Sequence, residues 1–188
     1  MKELVLHILD IVQNATRAGA SEVQISITES QKNNRYLIEI KDNGPGMSAE
    51  MLNKVLDPFF TTRTTRKVGL GLPLLHQNAR LAGGDLILES ESGKGTQVKA
   101  WFEYNHIDRL PAGDIPGTLW LIFQGNPNVR FRYTHATDKG QFTIDTQQLL
   151  ENLECKDPWS IPELREPIIH YIYNGIEEIS GEINPRQG

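Results

Sequence analysis

Cysteine is almost missing from this sequence. The single Cys155 has no partner for an intramolecular disulfide, so the chain is not a disulfide-held scaffold, and a reducing compartment suits it. Long apolar runs are missing too. No stretch approaches the roughly 20 apolar residues that cross a bilayer. Near the start, Asp10, Gln13 and Asn14 interrupt any apolar core that a signal peptide would need. The expectation is a cytoplasmic protein that neither spans nor anchors to a membrane. There is no basic stripe, which argues against nucleic acid as the main partner. Repeats and low-complexity segments are also absent. What is present is an ordinary globular composition: 38% hydrophobic and 23% charged residues in a chain of 188. Disorder is therefore not expected. The length suits one good-sized domain, or one with an appendage.

Charge is unevenly spread. Residues 1–104 hold 12 Lys/Arg and 12 Asp/Glu, so the net charge of −5 belongs to residues 105–188. A solvated acidic surface accounts for this, and so does a face that docks a protein partner.

Residues 3–18 carry Leu4, Ile8, Ile11, Val12 and Ala15 at spacings of three and four, which predicts an amphipathic helix. Asp10, Asn14 and Arg17 fall together on its opposite face. Such a row is either a solvated face or a set of groups for a metal-bound phosphate. Asn14 offers a neutral oxygen to magnesium, Arg17 a charge to phosphate, and Asp10 a base. His7, at the edge of this face, reads as a surface or packing histidine. Gly19-Ala20-Ser21 ends the helix. Two alternating strands follow, Val23 to Ile27 and Tyr36 to Ile40, joined as a hairpin.

The second strand delivers Asp42-Asn43-Gly44-Pro45-Gly46-Met47. An ordinary turn has this composition. A ligand site has it as well: an acid at a strand end, with Gly44 and Gly46 letting a ligand approach where a Cβ would intrude. A helix capped by Ser48 runs to the residues before Pro58. Phe59-Phe60 then leads into Thr61-Thr62-Arg63-Thr64-Thr65-Arg66-Lys67, hydroxyls and cations with no apolar member. That stretch reads equally as a mobile loop or as a phosphate-sensing lid. Gly69-Leu70-Gly71-Leu72-Pro73 enters a helix that Gly83-Gly84 ends. A glycine-rich turn at a helix N-terminus presents free N–H groups to phosphate. Strands are expected at Leu86 to Ser90 and Thr96 to Tyr104, with the turn Ser92-Gly93-Lys94-Gly95 between them.

Residues 105–117, rich in proline and glycine, read as a linker. Residues 118–188 read as a small α/β module. Its strands are expected at Thr118 to Gln124, Val129 to His135 and Gln141 to Ile144. A helix capped by Asp145 or Thr146 should reach Leu153, and a last helix should start near Pro167 and run through Ile179. His135 and His170 stand in no metal-binding pattern.

Taken in order, Asp10-Ile11-Val12-Gln13-Asn14-Ala15, Asp42-Asn43-Gly44-Pro45-Gly46-Met47, Pro58-Phe59-Phe60-Thr61-Thr62, Gly69-Leu70-Gly71-Leu72 and Gly95-Thr96 resemble the N box, glycine boxes, lid and closing strand of the GHKL ATPase superfamily, over about residues 1–104. The short lid, about residues 61–68, resembles the histidine-kinase and anti-sigma-factor-kinase branch. The resemblance implies an α+β Bergerat ATP-binding fold, with a mixed or antiparallel sheet backed by helices on one face. It implies that Asp42 accepts the adenine amino proton, with Thr96 nearby through water. Asn14 would ligate Mg2+, and Gly44 and Gly46 would let the backbone approach the base. Thr61 and Thr62 would belong to the lid. Gly69, Leu70, Gly71 and Leu72 would bind phosphate, and Arg17 would meet it. Where the family usually has Glu, this chain has Asp10, one methylene shorter, so ATP binding is better supported than fast hydrolysis.

None of the five histidines lies in a phosphoacceptor motif, so phosphorylation in cis is not expected. The sequence leaves three readings open: a kinase-like domain acting on a partner protein in signalling or regulation, a nucleotide-sensing module, or a weak ATPase coupled to assembly. It does not name the partner or the oligomeric state.

Overall fold

The computed structural model describes residues 1–55 and 71–180. Thr61, Thr62, Gly69 and Leu70 lie outside them. The fold is α+β, built on one six-stranded mixed sheet. In chain order its elements begin with α1 (Leu4–Arg17), β1 (Glu22–Ser30), β2 (Arg35–Asp42), α2 (Ala49–Lys54) and α3 (Gly71–Leu81). Next come β3 (Asp85–Glu91), β4 (Gly95–Glu103), α4 (Ile115–Gly125), β5 (Arg130–Thr137) and β6 (Gly140–Asp145). The chain continues through α5 (Thr146–Asn152), a 3₁₀ turn (Pro158–Ser160) and α6 (Pro162–Ser180). The strand order is β3-β4-β2-β1-β5-β6, antiparallel throughout except where β5 runs parallel to β1.

The strand alternation has a direct consequence. Val23, Ile25 and Ile27 of β1, Tyr36, Ile38 and Ile40 of β2, and Val98, Ala100 and Phe102 of β4 all turn to one face and are buried. Their intervening neighbours face the other side. α1 covers the buried face with Leu4, Ile8, Ile11, Val12 and Ala15, and α3 adds Leu75 and Ala79. Each fully buried aliphatic side chain contributes about 1.5–3 kcal/mol.

Residues 118–180 depart from the sequence reading in two ways. Thr118 to Gln124 is helical, inside α4, where a strand was expected. An apolar run of this kind has no period that separates a buried helix from a strand. Here the stop-and-start signals decide it: Asp114 caps α4 by accepting from Gly117 N at 2.9 Å, and Pro116 stands in the first turn. Second, β5 and β6 extend the sheet that residues 1–104 begin. Val23, Ile25 and Ile27 of β1 lie beside Phe131, Tyr133 and His135 of β5 in parallel register. Parallel pairing requires a crossover, and residues 105–125 supply it. Within that crossover Pro111 and Ala112 accept from Leu4 N and Val5 N at 2.9 and 3.0 Å, tying the expected linker to the start of α1. An aromatic cluster fastens α4 beneath β5: Phe123 lies 5.5 Å from Phe131 and 5.4 Å from Trp159, and Trp159 lies 5.6 Å from Trp120. α6 starts at Pro162, five residues before Pro167: Pro162 suits the first helical position, and Pro167 stands inside the helix, which continues past it.

Candidate functional site

β2 ends at Asp42, and the chain turns at once. Asp42 Oδ1 accepts from Gly44 N at 2.8 Å. A Cβ at Gly44 would come 2.8 Å from that oxygen, so a side chain there would press on the carboxylate. Gly46 has φ +67°, and a Cβ there would overlap the carbonyl of Glu91. Burial pushes the half-buried Asp42 carboxyl above its usual range, while hydrogen bonds from the backbone of Gly44 and Thr96 pull the other way.

Asn43 is a residue the sequence reading passed over. Its Oδ1 accepts from Ser21 N and Glu22 N, both at 2.9 Å, and its Nδ2 donates to Ser21 Oγ at 2.9 Å. The side chain thus pins the turn to the start of β1, with both amide ends used.

Thr96 sits opposite Asp42 in the β2–β4 ladder and opposite Ser90 in the β3–β4 ladder. Ser90 is the second residue missed. Its Oγ donates to Gly95 O at 2.9 Å and accepts from Met47 N at 2.8 Å. With the Ser90 proton committed, its 2.9 Å contact with Thr96 Oγ1 has Thr96 as donor. The free lone pairs of Thr96 Oγ1 are therefore acceptors, beside the acceptor Asp42. The register of the β3–β4 hairpin carries the signal that would have found Ser90: with Gly93 in the turn, Ser90 must oppose Thr96.

A second group of expected residues meets where α1 passes α3. α3 is described from Gly71, and among the described residues no acceptor takes the N–H groups of Gly71 and Leu72. Pro73 has no N–H to leave unpaired. A Cβ at Gly71 would overlap Oδ2 of Asp10, so the carboxylate rests directly on the entry to α3. Asn14 and Arg17, one and two turns further along α1, are exposed, and among the described residues their side chains form no hydrogen bond or ion pair. His7 is fully buried against α3 rather than exposed. No three His, Cys, Asp or Glu side chains among the described residues cluster as a metal site. A cation here would take one or two protein oxygens and the rest from its ligand, which is how Mg2+ is held beside phosphates.

The structure therefore joins Asp42, Gly44, Gly46 and Thr96 in one corner, and Asp10 and Gly71 in another. The first offers hydrogen-bond acceptors under a glycine-lined approach. The second offers N–H groups with no acceptor among the described residues, an amide and a guanidinium. That division suits a ligand with a donor-bearing polar head at one end and phosphate at the other.

Comparison with known proteins agrees. Residues 2–106 match the family described as histidine kinase-, DNA gyrase B-, and HSP90-like ATPase. The sensor histidine kinase ZraS of Escherichia coli strain K12 is 31% identical over 106 residues, which are 56% of this chain and 23% of that protein. The sensor kinase CckA of Brucella abortus is 37% identical over 81 residues, 43% of this chain and 8% of that one. The chain thus matches under a quarter of the length of either relative. A crystal structure of the N-terminal domain of a DNA repair protein shares the fold, with a TM-score of 0.53 at 19% identity, over 77% of this chain and 52% of that one. Residues 2–106 form a histidine-kinase-like ATP-binding domain, and the chain belongs to the histidine kinase-, DNA gyrase B- and HSP90-like ATPase family.

Proposed function

We propose that this protein binds ATP with Mg2+ and uses the bound nucleotide to act on, or report to, a partner protein in signalling or regulation. The observation that carries the reading is the pairing of two acceptors, Asp42 and Thr96 Oγ1, at one end of the site with the N–H groups of Gly71 and Leu72, which have no acceptor among the described residues, at the other. In this reading the carboxylate of Asp42 accepts the adenine amino proton through a remaining lone pair, and Gly44 and Gly46 admit the base. Asn14 supplies a neutral oxygen to Mg2+, Arg17 meets phosphate, and the entry to α3 cradles it. Bound Mg2+ would neutralise phosphate charge. Asp10 would orient the acceptor or water near the terminal phosphate.

The same residue favours a second reading. Asp10 has a short side chain, and its Oδ2 lies against Gly71. A carboxylate held there supports sensing of ATP against ADP with little turnover. Two measurements separate these readings. Calorimetry with ATP–Mg2+ should show binding that Asp42→Asn abolishes, and unchanged affinity would overturn the site. Transfer of labelled γ-phosphate to a co-purified protein supports the kinase reading, whereas nucleotide binding without transfer or ADP release supports the sensor. Steady ADP release lost on Asn14→Ala would mark a weak ATPase.

A further inference from the structure

His7 lies one turn before Asp10 and two turns before Asn14 on α1. At 100° per residue the three side chains fall within about 60° of arc. Unlike the other two, His7 is fully buried. Its Nε2 lies 3.1 Å from Asn78 Nδ2 on α3. An amide nitrogen only donates, so Nε2 accepts, and the proton of the neutral ring is on Nδ1. Burial lowers the pKa of the ring, so the neutral form dominates at neutral pH; the backbone of Gly71 and the Asp10 carboxylate oppose that shift, and the N-terminal amine adds to it. Nδ1 is buried with no close hydrogen-bond acceptor, and the backbone of Gly71 interacts with the ring only at a looser contact.

A buried N–H without a close acceptor is rare in a settled core, because the group gives up water for little. The neighbour across from the ring is the backbone of Gly71, the same residue whose missing side chain leaves room for Asp10. His7 and Asp10 therefore flank one point, the entry to α3, where the N–H groups of Gly71 and Leu72 begin.

We propose that His7 is a positioning residue of the nucleotide site: its Nδ1–H is the donor that engages the backbone carbonyl of Gly71 and seats the first turn of α3 against the Asp10–Asn14 face of α1 when nucleotide binds. The inference rests on the ATP-binding reading above. His7 touches no nucleotide atom. Its effect passes through the placement of Gly71 and Leu72, and an ångström of displacement there is enough to weaken several backbone hydrogen bonds together.

Two amide substitutions divide the ring's functions, because asparagine puts its amide group where Nδ1 stands and glutamine puts its own where Nε2 stands. His7→Asn keeps the donor toward Gly71. His7→Gln keeps the contact with Asn78 and loses that donor. By calorimetry with ATP–Mg2+, His7→Gln should bind about tenfold more weakly than wild type, and His7→Asn within about threefold. The nitrogen spectrum of the wild-type ring should show the proton on Nδ1 in the free protein, with that proton resonance moving and becoming slow to exchange on adding ATP. Equal affinities for His7→Gln and wild type overturn the proposal, as does a proton found on Nε2. The wild-type spectrum gives that answer even if a variant fails to fold. Failure of the wild type itself to bind ATP overturns the site assignment instead, so the two failures are distinct.

Discussion

Gly71 and Asp10 occupy each other's space: the Cβ that glycine lacks would stand on Oδ2 of the carboxylate. The last glycine of the Gly69-Leu70-Gly71-Leu72 stretch thus serves the acid of α1 as much as it serves any phosphate.

A methyl group at that position is therefore informative. Gly71→Ala must push either Asp10 or the first turn of α3 aside. Alanine favours a helix over glycine by up to about 1 kcal/mol, so the fold gains propensity while the site loses geometry. The expected outcome is little change in Tm and a loss of ATP affinity of about tenfold or more. Thermal melting and calorimetry on the same sample check both halves.

Ser90 gives a second test, since it sets the direction of the Thr96 hydroxyl through a 2.9 Å contact. Ser90→Ala frees the Thr96 proton to turn outward and leaves Met47 N without its acceptor. Loss of one such hydrogen bond costs about 1–3 kcal/mol when the orphaned group stays buried. Nucleotide affinity should fall by about tenfold. Thr96→Val, which removes the acceptor itself, should fall at least as far. Binding by Ser90→Ala equal to wild type would show that the orientation of Thr96 is immaterial.

Much of this was legible in the sequence, and what was not has a physical reason. The period of two in Val23–Ile27 and Tyr36–Ile40 identified β1 and β2, and the glycines around Asp42 marked the turn. Asn43 and Ser90 escaped because their work is done by contacts with Ser21 and Thr96, which only the strand pairing brings near. His7 read as a surface or packing residue, and its burial decides against the surface; the lack of a close acceptor for Nδ1 is a property of three-dimensional surroundings that no spacing encodes. The helix α4 was misread because Leu119, Trp120, Ile122 and Phe123 make an almost unbroken apolar run. The joining of β5 to β1 was invisible for another reason. Parallel partners lie over a hundred residues apart, and nothing local records which strand a crossover will reach.

The neighbouring β5–β6 pairing, at the edge of the sheet, is held by charge. Asp145, at the end of β6, is buried to 1% of its side-chain surface and faces Arg130 at 2.8 Å and Arg132 at 3.1 Å. It also caps α5 through Gln147 N at 3.0 Å. Burial alone would push this carboxyl up, but the hydrogen bonds from Arg130, Arg132 and Gln147 bring it below the usual range. A folded-state pKa below the unfolded one adds stability at neutral pH that disappears as pH falls through the folded value. Asp145→Ala should cost about 1–3 kcal/mol at neutral pH, since the two arginines it leaves are solvated, and this appears as a lower midpoint in urea. The gap between variant and wild type should narrow as the pH drops below about 4. A gap that stays constant to pH 2 would show that packing, not charge, holds the end of β6.

Asp42 carries the opposite sign, and this separates stability from function at one residue. Burial raises its carboxyl in the folded state. A raised folded-state pKa means that the acid form favours folding; that contribution is complete below the unfolded pKa and is lost as pH rises through the folded value. At neutral pH the ionised group is therefore a cost to the fold, kept for what it accepts. Asp42→Asn removes the charge and can still accept from Gly44 N through its amide oxygen. The variant should melt at a higher temperature than wild type at pH 7, with the difference shrinking toward pH 4. ATP affinity should move the other way: at least tenfold weaker in Asp42→Asn at pH 7, and falling in the wild type as the carboxyl is protonated. Melting curves and calorimetric titrations between pH 4 and 8 test both. A variant less stable than wild type at pH 7 would mean that the carboxylate holds the turn together, and its place at the end of β2 would then be structural first.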